Sequence, residues 1–162
     1  MNIFWNIFDW LLDKLKILGA ACLVGMTLLT CVDVVGRFFG HPVFGSVELV
    51  GFMATLAVAL ALPYTHQVKG HIGVEIVVRL FSERTQAIFD LCTTFFSLAL
   101  MGIITWRMLI YAGTMKASGE VSMNLELPEY FIIYIVSFCF LVFSLLLIKD
   151  IFGYIKQLAG EK

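Results

Sequence analysis

Charged side chains are scarce: Asp, Glu, Lys and Arg make up 14% of the 162 residues, against roughly 25% in an ordinary soluble domain. A water-soluble fold is thereby excluded, because a domain of this size exposes a large area that polar residues would have to cover. Nor is charge of either sign concentrated. The formal net charge is −1, with no basic stripe and no acidic tail, which leaves no footprint for nucleic acid or a polyanion. Cysteine is confined to Cys22, Cys31, Cys92 and Cys139, each isolated in an apolar stretch without a C-x-x-C partner. These read as small buried hydrophobes, not as a redox or metal motif. Glycine-rich phosphate loops, clusters at metal-ligand spacing and nucleophiles beside a base are all missing. His41, His66 and His71 fall at span ends or in loops, none opposite another, which speaks against axial haem ligation. The chain reads as non-catalytic and without a cofactor.

What is abundant is apolar: 60% of the residues are hydrophobic. Runs long enough to cross about 30 Å of hydrocarbon, which takes about 20 residues, occur at 15–35, 43–65, 85–111 and 130–148. The expected fold class is therefore an all-α integral membrane protein, with four transmembrane helices and amphipathic interfacial segments. Residues 15–148 form the four-helix domain, preceded by an amphipathic segment at 1–14 and followed by a tail at 149–162. Eight of the eleven basic residues flank the sides of the termini and the middle loop, leaving Arg37, Arg107 and Lys116 opposite. Positive flanks stay inside, so both termini are expected on the cytoplasmic side.

In the leader, Asn2, Asn6, Asp9, Asp13 and Lys16 recur at the helical period while apolar residues fill the other faces. Two arrangements compete: a separate helix lying in the headgroup boundary, or an extension of the first span packed on a partner. A second amphipathic stretch, Ile72 to Phe81, lies between Gly70 and Ser82-Glu83, residues that break helices. Pro63 is expected to kink or end the second span, and Trp106, Tyr111, Tyr130 and Tyr134 to sit as interfacial anchors.

A few polar residues enter the spans. Asp33 and Arg37, at i and i+4, share a helix face and can pair, as a structural ion pair or as a proton or ion site. Glu48 lies six residues after Pro42, about 9 Å into the second span. Its nearest partner by topology is Arg37, and if they meet, Asp33, Arg37 and Glu48 clamp the first hairpin. The other reading makes Glu48 the translocating carboxylate of a self-contained four-helix transporter.

Asp33-Val34-Val35-Gly36-Arg37, then Pro42, Gly45 and Glu48, are followed by Gly70-His71-Ile72-Gly73-Val74-Glu75 and by Ser122-Met123-Asn124-Leu125-Glu126-Leu127-Pro128-Glu129-Tyr130. In this order they resemble the small membrane subunit of the tripartite ATP-independent periplasmic (TRAP) transporters, the DctQ family. Glu75 departs from the family's more usual aspartate and keeps its charge. The resemblance implies a subunit without transport chemistry of its own, with Asp33, Arg37, Pro42, Gly45, Glu48, His71, Glu75 and Pro128 as structural or subunit-interface residues. It implies as partners a large membrane subunit, which carries substrate and sodium by an elevator motion, and a periplasmic binding protein that delivers an organic acid. Lipid surrounds the whole, and the outer loop around Glu120, Glu126 and Glu129 is a candidate contact for the binding protein. On this reading Arg37→Ala is expected to weaken assembly or membrane yield, with little change in the substrate affinity of the assembled system. A shift in binding specificity would overturn the scaffold assignment.

Overall fold

The computed structural model describes residues 2–68 and 81–159, with side chains from Phe8 onward except Glu83 and Ala159. His71, Glu75 and all of the second amphipathic stretch but Phe81 lie outside these residues. Four helices account for nearly all of the described chain: α1 (Asn2–Phe38), α2 (Ser46–Gln67), α3 (Glu83–Ser118) and α4 (Tyr130–Ala159). Each holds an apolar window long enough to cross a membrane. The leader is continuous with the first span, since α1 runs unbroken for 37 residues. Its Phe8, Leu12 and Leu15 are buried in the main apolar cluster with Ala59 and Leu60 of α2 and Val136, Cys139, Val142 and Leu146 of α4.

Helix limits follow from local chemistry. At the end of α1, His41 N–H donates to Gly36 O at 2.8 Å and Gly40 N–H to Arg37 O at 3.1 Å. With Gly40 at φ 76°, this is a Schellman closure, which needs a residue free to adopt positive φ. Pro42 follows, where a helix cannot continue. The Ser82 hydroxyl accepts from Thr85 N–H and caps α3, and Gly119 at φ 69° ends it. Pro63 does not end the second span: it is buried inside α2, which continues to Gln67.

The helices form a row. α1 packs on α2, α2 on α4 and α4 on α3, and no comparable interface joins α1 to α3 or to α4. Gly19 lets α1 and α2 approach closely, because a Cβ there would stand 3.3 Å from both Ala57 O and Leu60 Cβ. The inner members of the row are the buried ones. Within their apolar windows 28% of α2 and 39% of α4 is buried, against 11% for α1 and for α3.

Polar contacts mark two levels across this row. At the end carrying the termini, His66 Nε2 lies 2.9 Å from Asp150 Oδ2, Gln67 donates to Asp9 at 3.0 Å, and Lys16 Nζ sits 4.1 Å from the Tyr64 ring centroid. At the opposite, loop end are Asp33, Glu48 and Lys116, the last 5.8 Å from the ring centroid of Tyr130. Tyr130 and Asp150 bound α4's apolar run about 30 Å apart at ~1.5 Å per residue, the thickness of a hydrocarbon core.

Burial predicts which truncations matter. Leu12→Ala, at a position with no exposure, leaves a cavity and is expected to cost about 2–5 kcal/mol. Phe96→Ala, on a side chain 73% exposed, is expected to change the isolated chain little. Thermal unfolding of the two variants in one detergent measures the difference.

Candidate functional site

The loop end gathers the residues singled out in the sequence into two adjoining arrangements. The first closes the α1–α2 hairpin. Asp33 is buried, with 8% exposure, and its two oxygens have separate tasks: Oδ2 accepts from Arg37 Nε at 2.8 Å, and Oδ1 accepts from Val43 N–H at 2.9 Å. One side chain thus ties the last turns of α1 to the entry of α2, which has no side-chain cap on its first turn. Gly36 is required by close approach, since a Cβ there would come within 2.4 Å of His41 O, a backbone atom that cannot swing aside.

The second arrangement joins that hairpin to the α3–α4 loop. Glu48 Oε1 accepts from Asn124 N–H at 2.7 Å and from Asn124 Nδ2 at 2.8 Å. Its Oε2 accepts from Leu125 N–H at 3.1 Å. The loop itself is a small closed turn: Ser122 N–H donates to Leu127 O at 2.9 Å, Leu127 N–H donates to Ser122 Oγ at 3.2 Å, and Val121 bridges Pro128. Glu126 takes φ 51° within it. Leu125 then sits on Gly45, where a Cβ would lie 2.4 Å from Leu125 Cγ. Gly45 also has φ 71°, so both its conformation and its lack of a side chain are used.

The expected cluster of Asp33, Arg37 and Glu48 is therefore corrected. Asp33 and Arg37 pair, but Glu48 turns away from Arg37 to the turn at Asn124 and Leu125. Topology favoured Arg37 because it is the nearest cation. A carboxylate is equally well held by converging N–H donors, and those come from 76 and 77 residues away. Pro128 belongs to the same assembly through its bridge to Val121. Asn124, Ser122 and Leu125 were quoted in the sequence only as part of a motif; the polar Ser-x-Asn run ahead of a proline was the available signal for a structured loop.

The terminal end holds a second set of ties. His66 meets Asp150 and packs edge-on against Phe143 with centroids 5.1 Å apart. Asp9 accepts from Gln67, and Lys149 Nζ stands 4.0 Å from it. Together these bonds link α1, α2 and α4. What the arrangement does is mechanical: it locks one hairpin to the other at both ends of α2.

A multi-pass membrane protein is the class these helices define. A family model described as tripartite ATP-independent periplasmic transporters, DctQ component, matches residues 26–157, and the chain belongs to that family. It is thus the small membrane component of a TRAP transporter. No match was found among curated proteins or among solved structures.

Gly45→Ala is expected to destabilise the chain by about 1–3 kcal/mol, combining a positive-φ penalty with the collision at Leu125. Adding Leu125→Ala should recover the collision part and leave the φ part, a separation that a double-mutant cycle reads directly. Glu48→Gln replaces an acceptor oxygen by an amide donor facing other donors. It is expected to raise amide exchange at Asn124 and Leu125 roughly tenfold through easier local opening, with α1 exchange unchanged.

Proposed function

We propose that this chain is the non-catalytic small permease subunit of a sodium-coupled, binding-protein-dependent transporter for organic acids, and that it stabilises the fixed scaffold of a large elevator-type subunit. The observation that carries this reading is the contrast within the row: α2 is tied to α4 at one end and to the α3–α4 loop at the other, while α1 and α3 turn apolar faces outward with 11% of their windows buried. A domain that carries substrate across a bilayer needs a partner that holds its depth and tilt. A braced strip of helices with wide lipid and protein contact supplies one.

In this proposal the basic flanks keep both termini in the cytoplasm of a bacterial inner membrane, and the Ser122–Leu127 turn faces the periplasm. Glu120, Glu126 and Glu129 then form an acidic rim available to the binding protein. The reading of Glu48 as a translocating carboxylate is disfavoured by its bonds to Asn124 and Leu125, which leave it as a bracket between hairpins.

The test is purification of the tagged chain in mild detergent after expression with its large subunit and binding protein, followed by reconstitution. Expected are a stoichiometric large multispan partner and sodium-driven uptake of an organic acid only when all chains are present. A homo-oligomer that transports by itself, and stops on Glu48→Gln, would overturn the proposal.

A further inference from the structure

Arg107 is placed by its sequence surroundings at the flank of the third span, after the uncharged run 91–106. The packing of α3 on α4 moves it. Lys116 lies against Tyr130, and the two helices, joined by the short 119–129 connection, pack along each other antiparallel, which sets their register. The stretch of α3 opposite α4's apolar run is then roughly 95–115, about 30 Å at ~1.5 Å per residue, and Arg107 falls near its middle. Between the two polar levels, among the described residues, α1 contributes 17–32, α2 49–65 and α4 131–148 without a charge. Arg107 is the one charged side chain in the belt.

It is also exposed, with no hydrogen bond, ion pair or ring contact among the described residues. Other exposed polar groups within the belt do not share that condition. The exposed hydroxyls of Thr27 and Thr30 on α1 and Thr114 on α3 each donate to the carbonyl four residues back, which lets them face lipid at no loss. A guanidinium has no such internal acceptor. Arg107 stands about 14 Å along the axis from Lys116, roughly twice the reach of its side chain, and helical side chains lean towards the helix N-terminus, away from that nearer end.

Its neighbours form a seam. Phe96, Leu100, Ile103, Arg107, Ile110 and Thr114 are all exposed and recur at alternating steps of four and three, the spacing by which one helix packs along another. We propose that this face of α3 is the docking surface for the large membrane subunit, whose facing transmembrane helix places a carboxylate at the depth of Arg107. The inference rests on the assignment of a large partner and adds which helix meets it and what charge it brings. A charge within the membrane that pairs across an interface holds depth and register together.

The experiment uses the chain co-expressed with its large subunit. Affinity purification of the wild type first checks the partnership. If no large subunit comes with it, the assignment above fails and this inference falls with it. With the partnership present, a photo-crosslinking residue at Leu100 or Ile110 is expected to trap the large subunit. Arg107→Leu is expected to cut its recovery about tenfold, Arg107→Glu further, and Arg107→Lys least. The isolated Arg107→Leu chain should melt in detergent no lower than wild type, since nothing in its own fold holds the arginine. Crosslinks from Leu100 and Ile110 to phospholipid alone, full recovery with Arg107→Leu, or unfolding of that isolated variant would each overturn the proposal.

Discussion

The arrangement depends on a carboxylate that is taken into an apolar helix row and has to be filled with donors. Glu48 begins α2 and accepts from Asn124 and Leu125. Those donors exist only when the Ser122–Leu127 turn is closed. The closure of one loop and the placement of the other hairpin are thus one event, and the glycine at position 45 leaves room for Leu125 to complete it. Glu48 is half-buried, so hairpins docked in another register would leave its carboxylate without these donors.

Asp33 does the corresponding work within a hairpin. It accepts from its own helix through Arg37 and from the connection leading into α2 through Val43 N–H, while the Schellman closure at Gly40 turns the chain. The terminal end uses weaker, more exposed ties between α1, α2 and α4, and gains apolar support from Phe8, Leu12 and Leu15. Brackets at both ends leave the middle of the row to close packing, as where Gly19 meets Ala57 and Leu60.

The four helices were legible because lipid demands long apolar runs and this chain has four of them. The Asp33–Arg37 pair was legible for a similar reason, since it depends only on helical periodicity. Glu48's partner was not, because backbone N–H groups are invisible in composition and the loop that offers them lies 76 residues away. Arg107 escaped for a different reason. α3 is 36 residues long, more than a crossing requires, so the apolar run alone could not say which part meets the hydrocarbon. Packing on α4 decides which part of α3 lies opposite α4's apolar run. The leader's apolar residues were equally ambiguous between lipid and protein until α1 proved continuous and brought Leu12 into the core.

The order α1, α2, α4, α3 has a geometric consequence. Four helices gathered into a square would share four interfaces and present a nearly round outline; in a row they share three and present an oblong one. A round body can spin about the membrane normal against a neighbour without losing much contact, whereas an oblong body loses most of it within a small turn. The row therefore acts as a keel, setting the azimuth of whatever lies along its long side.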